Sequence, residues 1–269
     1  MVSILISTIY DRIDLLNEKN YPQNPEVTYF ISCQGYRNKE IRHYEEALIS
    51  IFGKNCNYSF MEGYGLSKNR NNAITLALSK SNNDTYFYIC DDDISIDIDS
   101  LLKVSAIASH EKLVCVVGMV KTINGYFKNY PAKQRTYSRL DCSKVSSVEM
   151  LVCSDFIEKN KLHFDERFGL GAEYPSGEEF VFCNDIISLG GKVRFFPIAF
   201  CEHPPVSSGS DFFSSHNKVI AKGAMFTRVF GKVGGVVLSL IFAFKKKSQY
   251  RGSLTFFEFT KQIIKGALR

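Results

Sequence analysis

Short apolar runs and amphipathic stretches alternate along the first half of the chain. Runs over 2–9, 26–33, 58–61, 85–90 and 113–119 are rich in β-branched and aromatic residues. Between them, 37–51, 67–81 and 98–110 carry apolar positions at spacings of three and four. This alternation predicts an α/β fold, a wound and mainly parallel sheet with flanking helices. A further helix is expected from about Glu178 to Leu189, followed by a strand over 192–200. In such a sheet the ligand lies beyond the carboxyl ends of the strands, so polar residues directly after a strand are the first candidates for chemistry.

Ser7 and Thr8 close the first strand, Gln34 and Gly35 follow the second, and Asp91, Asp92 and Asp93 follow the run 86–90. Three adjacent carboxylates repel one another and are costly at the mouth of a buried strand without a cation or ordered donors. Hard oxygen ligands of this kind suit Mg²⁺ or Mn²⁺ bound together with substrate phosphates. The plainer reading is a solvated acidic turn capping a helix that begins near Asp97. A helical calcium loop is disfavoured, because the central Gly and terminal Glu are missing.

Three later segments add candidates. Ser67 reads as the N-cap of a helix whose first turn, with Lys68, Arg70 and Asn71, favours an anion such as a diphosphate, or is simply a capped surface helix. A Gly-rich loop, 164–171, leads to Gly177, Glu178 and Glu179 at a helix start; the carboxylates there serve either the helix dipole or proton abstraction from a hydroxyl. His203 ends a strand before Pro204 and Pro205, as a packed loop residue or as an imidazole ligand. The segment 168–174 and the loop 121–135, whose Tyr126, Phe127 and Tyr130 offer faces for stacking, are candidates to line a binding pocket, or are loop aromatics packed locally.

Composition changes the picture at the C-terminus. The 269 residues, 45% hydrophobic and 23% charged, suffice for one full core and an appendage. From Lys218 onward there are eleven Lys or Arg and one acid, Glu258, a balance of +10 within a chain whose total is +5, so 1–217 carry about −5. The uncharged run 233–244 is too short to cross a bilayer at about 20 residues per crossing. Bordered by Arg228, Lys232, Lys245, Lys246, Lys247 and Arg251, it reads as an interfacial helix on an anionic leaflet, with 253–268 as a second. The rival is two ordinary helices packed on the main domain. Nucleic acid is disfavoured, since the cations are not interleaved with base-stacking positions. The expected organisation is a domain over 1–214 and a basic helical tail over 215–269. Eight scattered cysteines without a C-x-x-C pair, and an N-terminus lacking a basic n-region, fit a reduced cytosolic protein without a signal peptide.

Taken in order, Ser7-Thr8, Ser67 to Asn71, Asp91 to Asp93, Phe164 to Glu179, and His203 resemble the motifs of glycosyltransferase family 2, of the bacterial surface-polysaccharide type. The resemblance covers about residues 2–205 and implies a GT-A fold. It implies an inverting enzyme that moves a sugar from a nucleoside-diphosphate sugar to a hydroxyl of a glycan, lipid-linked in O-antigen or capsule assembly, on the inner face of the cytoplasmic membrane. In that reading Asp93, Asp91 and His203 hold Mn²⁺ or Mg²⁺. Ser7, Thr8, Gln34, Ser67, Arg70, Asn71, Asp91 and Asp92 bind the donor, and Glu179, with Glu178 as the alternative, is the base. Two departures stand out: Gln34 where the family has an Asp that holds the nucleobase, and Glu178-Glu179 where it more often has Glu-Asp. A sugar-nucleotide nucleotidyltransferase would want a Gly-rich basic loop after the first strand, and Ser7 to Arg12 is not one. A non-catalytic sugar-binding relative is the remaining alternative.

Overall fold

The computed structural model describes residues 1–16, 21–35, 41–53, 56–80, 85–204 and 212–269. The first half contains β1 (Val2–Ile9), a 3-10 turn at Tyr10–Arg12, α1 (Ile13–Leu16), β2 (Val27–Gln34), α2 (Ile41–Phe52), β3 (Cys56–Met61) and α3 (Leu66–Lys80). Next come β4 (Tyr86–Asp91), β5 (Ser95–Ile96), α4 (Ile98–His110), β6 (Cys115–Thr122), β7 (Gly125–Tyr126), β8 (Arg135–Thr136) and 3-10 turns at Asp141–Lys144 and Ser147–Glu149. The remainder holds β9 (Met150–Cys153), α5 (Ser154–Asn160), α6 (Glu178–Ser188), β10 (Val193–Glu202), α7 (His216–Lys245), α8 (Lys247–Tyr250) and α9 (Phe256–Ala267).

The strands form one sheet in the order β3-β2-β1-β4-β9-β6-β10-β5, with β7 paired to β6 and β8 to β10. β1 runs parallel to β2 and β4, β2 to β3, and β6 to β10. β9 is antiparallel to both β4 and β6. Side chains alternate between two apolar layers, as the pleat requires. Leu5, Phe30, Phe87, Ile89 and Val117 face α3, α6, α7 and α9. Ile4, Ile6, Tyr29, Ile31, Tyr88 and Val116 face α1, α2 and α4. Both faces are covered, which is why these strands are nearly continuous apolar runs.

β1 and α4 have the predicted bounds, and Asp97 caps α4 by accepting from Ser100 N–H at 3.0 Å. β2 and β4 each begin and end one residue later than expected, so Gln34 and Asp91 are the last residues of their strands rather than the first beyond them. Of the predicted helix 37–51, residues 37–40 lie outside the described residues, as do Ser81 and Pro205. β9 was not anticipated: four residues are too few to show a period.

The C-terminal segment departs most from expectation. By length and composition α7 suffices to cross a membrane, its 30 residues having a mean hydropathy of 1.6 in the most apolar stretch. It is not one straight rod. Gly231 (φ 72°, ψ 173°) interrupts the helix in a conformation that L side chains avoid, and the chain doubles back. The Phe226 and Phe242 rings consequently lie 5.7 Å apart, where a straight helix would separate them by about 24 Å. The arms 216–230 and 232–245 form a hairpin, closed by α9. Its first arm enters the same apolar layer as α6, through Val219, Ile220, Met225 and Phe226, so the core continues past the expected boundary at 214/215.

α9 crosses the first arm where Gly223 faces Gly266. A Cβ on Gly223 would collide with the Ile263 carbonyl oxygen, and one on Gly266 with that of Ile220. Gly223→Val is therefore expected to destabilise the fold by about 2 kcal/mol or more, lowering Tm by roughly 5 °C or more in a thermal melt. An unchanged Tm would show that this crossing is not tight in solution.

Candidate active site

At the carboxyl edge of the sheet, Thr8 near the end of β1 and Gln34 at the end of β2 lie at the same level as Asp91 at the end of β4, and β10 brings His203 to the same edge. The acidic triplet fans out from there. Asp91 accepts from Arg70 Nη2 at 3.1 Å and from the Ser147 hydroxyl at 3.2 Å. Asp92 is buried, accepting from the Thr8 hydroxyl at 2.6 Å and pairing with Arg12 Nη2 at 2.8 Å. Burial raises the Asp92 pKa above the usual carboxylate range, against the Thr8 hydrogen bond and the Arg12 charge. Asp93 turns toward His203, whose Nε2 lies 3.7 Å from Oδ1, and its Oδ2 is 3.6 Å from Arg12.

Arg70 sits at the centre of the site, only 2% exposed. Its Nη1 reaches Glu178 Oε1 at 3.3 Å and Glu179 Oε1 at 3.4 Å, while Nη2 holds Asp91 and donates to the Ser147 hydroxyl at 2.7 Å. Phe164 lies under the guanidinium, 5.5 Å from its centre. Burial opposes the charge on Arg70, but Asp91, Glu179 and Glu178 outweigh it and hold the group firmly protonated. The Glu179 carboxyl is pushed up to about 7 by burial and by the charge of Glu178, with Arg70 pulling the other way. From α7, Lys222 adds positive charge beside Glu178 and Glu179, and burial lowers its pKa below the ordinary value against the pull of both carboxylates. Contact between Met225 and the start of α6 at Gly177 holds that face of α7 in place.

Several sequence-predicted roles change. Ser67 is not an N-cap: α3 begins at Leu66, and the buried Ser67 hydroxyl donates to Phe168 O at 2.6 Å. The helix start is not open to an anion at its first amide, because Leu66 N–H donates to Leu170 O at 2.9 Å. Arg70 points inward as a counter-ion, not outward as an anion hook. Asn71 is spent on the backbone of Phe164, bonding both its N–H and its carbonyl. Gln34 gives its carbonyl oxygen to Gly65 N–H at 2.8 Å, which leaves its amide NH₂ as the group that can face a ligand. Phe168 and Tyr174 are buried against each other, 5.0 Å between rings, and offer no open stacking face. Tyr126 is exposed, Phe127 lies 5.3 Å from the His203 ring, and Tyr130 is tied to the fully buried Glu149 at 2.5 Å. Lys128 pairs with Glu149 at 2.8 Å and anchors that loop beside the site. Ser7 Oγ is buried with no hydrogen-bond partner among the described residues.

Arg12, Ser147 and Lys222 were not anticipated. For Arg12 a signal existed, a cation just past the first strand. Ser147 and Lys222 had none, since their partners are distant in sequence. A cleft of about 700 Å³ lined by His163, Asp165, Arg167 and Arg228 lies at the other end of α6 and includes none of these groups. Its arginines are already paired, Arg228 with Asp165 and Asp185 and Arg167 with Asp165.

No three His, Cys, Asp or Glu side chains form a ready-made metal cage among the described residues. The donor set nonetheless suits a hard cation completed by substrate phosphates, a geometry that needs only one or two protein carboxylates. Asp93 Oδ1 is buried without a hydrogen-bond partner among the described residues, next to His203 Nε2. Five carboxylates here, Asp91, Asp92, Asp93, Glu178 and Glu179, meet two guanidiniums and one ammonium, an excess of negative charge.

No family model matches the chain, and no curated protein matches it in sequence. Solved structures do. TarS residues 1–349 from S. aureus, in complex with UDP-GlcNAc, superposes with a TM-score of 0.59 at 13% identity, over 98% of this chain and 79% of that one. The fold is that of the GT-A glycosyltransferases. GalNAc-T7 with UDP, GalNAc and Mn²⁺ matches at TM-score 0.55 and 14% identity, over 97% of this chain and 53% of that one. The mannosyltransferase PcManGT from Pyrobaculum calidifontis, with GDP-Man and Mn²⁺, matches at 0.52 and 11%, over 99% and 86%. At these identities the likeness carries the GT-A fold and no more.

Removing the buried counter-ion tests the assembly of this GT-A site. Arg70→Met leaves three carboxylates facing one another and is expected to cost about 3–5 kcal/mol. The sign with pH follows from Glu179, whose carboxyl Arg70 holds down at about 7: the deficit is largest above that pH, where Glu179 is ionised, and shrinks as pH falls and it protonates. Thermal melts of variant and wild type across a pH series measure it, and a deficit independent of pH would refute the electrostatic account.

Proposed function

We propose that this protein is an inverting glycosyltransferase that moves a sugar from a nucleoside-diphosphate sugar to a hydroxyl of a lipid-linked glycan, of the O-antigen or capsule type, at the inner face of the cytoplasmic membrane. The observation that carries the reading is the convergence of Asp91, Asp92 and Asp93 with Glu178 and Glu179, through Arg70, at the carboxyl edge of a GT-A sheet. Support for the donor class comes from neighbours of the same fold bound to UDP-GlcNAc and GDP-Man. Support for a lipid-linked acceptor comes from the basic C-terminal segment.

In this reading Asp93 and Asp91, with His203, would hold Mn²⁺ or Mg²⁺. When bound, the cation neutralises the charge that gathers on the departing diphosphate. Asp92, fixed by Thr8 and Arg12, receives ribose or sugar hydroxyls, and the amide NH₂ of Gln34, whose oxygen accepts from Gly65 N–H, meets the edge of the base. Glu179 takes the proton of the acceptor hydroxyl. The acceptor oxygen bonds to the anomeric carbon as the bond to the phosphate oxygen breaks, and the nucleoside diphosphate leaves with that electron pair. One in-line displacement inverts the carbon and requires no covalent intermediate. Glu178 is more deeply buried than Glu179 and stands as the alternative base.

Two outcomes are expected. Calorimetric titration with UDP, GDP and dTDP, with and without Mn²⁺, should show metal-dependent binding of one nucleotide that Asp93→Ala abolishes. No binding to a folded sample would favour the non-catalytic alternative. Glu179→Gln should keep nucleotide binding and lose about 10²–10⁴-fold in turnover. Only the ionised carboxylate accepts a proton, so wild-type kcat/KM should fall as pH drops below about 7, and this limb should vanish in Glu179→Gln. A limb that survives the substitution assigns the base elsewhere.

A further inference from the structure

A helix that is apolar on all sides is normally buried on all sides or sits in lipid. The 232–245 arm is apolar on all sides yet half-covered. Gly235, Ser239 and Ala243 face the protein, whereas Val233 (81% exposed), Val237, Leu240, Ile241 and Phe244 (73%) form a continuous row on the opposite face, three and four residues apart. Only 22% of the most apolar stretch of α7 is buried. Phe257, 84% exposed, adds a further apolar side chain at the first turn of α9. Because of the reversal at Gly231 this row lies on one short arm, 232–245, not on a rod long enough to span.

The charge around this face identifies what covers it. Lys232 stands at one end, and Lys245, Lys247 and Arg251 at the other, all exposed. The one acid from Lys218 to Arg269 is Glu258, whose carboxylate is turned back onto Thr255 in a capping box. A second copy of the chain pairing about a two-fold axis would set these cations against one another. An anionic bilayer matches both the apolar row and its basic borders.

We propose that the exposed row of the 232–245 arm inserts into the headgroup boundary of an anionic lipid leaflet, with Lys232, Lys245, Lys247 and Arg251 on the phosphates. The arm lies in the membrane plane, and the first arm of α7 connects it to the site through Met225 and Lys222. This assignment does not depend on the sugar-transfer reading, and its test uses no nucleotide.

The full chain is sedimented with vesicles of phosphatidylcholine alone and of phosphatidylcholine mixed with phosphatidylglycerol. Binding to the mixed vesicles, weakened by salt, is expected. A drop of at least about tenfold is expected for Val237→Ser with Phe244→Ser, and separately for Lys245→Gln, Lys247→Gln and Arg251→Gln together. All these positions are exposed, so each variant should retain the wild-type Tm. No binding to anionic vesicles, or full binding by either variant, overturns the proposal. So does a wild-type dimer in light scattering that Phe244→Ser dissociates while vesicles stay unbound, which would make the face a contact between copies.

Discussion

The buried guanidinium of Arg70 is the constraint around which the candidate site is organised. It comes from the second turn of α3 and binds the end of β4 through Asp91, the start of α6 through Glu178 and Glu179, and the 3-10 turn before β9 through Ser147. An arginine removed from water is costly unless its donors are satisfied by good partners, and three carboxylates satisfy it beyond neutrality. The same arrangement leaves Arg70 Nε without a partner among the described residues. Four elements far apart in sequence are thereby held in one geometry, and the acids closest to the proposed chemistry cannot drift apart.

That geometry sets the acid–base character of the site. Two adjacent glutamates at a helix start would both be expected to ionise readily in water. Here burial and mutual repulsion raise Glu179 toward neutrality while Arg70 prevents a larger rise. Asp92 and Asp93, on the other side, are partnered by Arg12, a half-exposed side chain at the end of the 3-10 turn after β1. The site thus has a rigid, buried cation beneath it and a looser one at its rim. Of the two guanidiniums, only that of Arg12 reaches solvent.

The alternation of β-rich and amphipathic segments made β1, β2, β4, α4 and the wound sheet legible, because strands buried on both faces leave long apolar runs between polar ends. The acidic residues were legible for the same reason, standing where such runs stop. What stayed hidden depends on contacts between distant positions. Ser67 has the residue type of a cap, yet its hydroxyl is drawn to Phe168 O because the Gly-rich loop folds over the start of α3. Arg70 and Asn71 look like surface groups of a helix start, but the loops before α6 close over that helix face. Strand β9 is a four-residue insertion whose place is fixed by β4 and β6, not by its own pattern.

The C-terminal segment shows why composition alone could not fix its form. A run without charges has no polar face from which to read a helical orientation, so the apolar row and the packed row of the 232–245 arm look alike in sequence. Gly231 decides between a rod and a hairpin, and it does so through a backbone conformation, not through hydrophobicity. Once the chain turns back, the first arm closes the apolar layer behind α6 with Met225 against Gly177 and Lys222 in the field of Glu178 and Glu179. The second arm is left outside, with Val233, Val237, Leu240, Ile241 and Phe244 exposed. The tail is therefore a wall of the site on one side and a free face on the other, both set by a single residue.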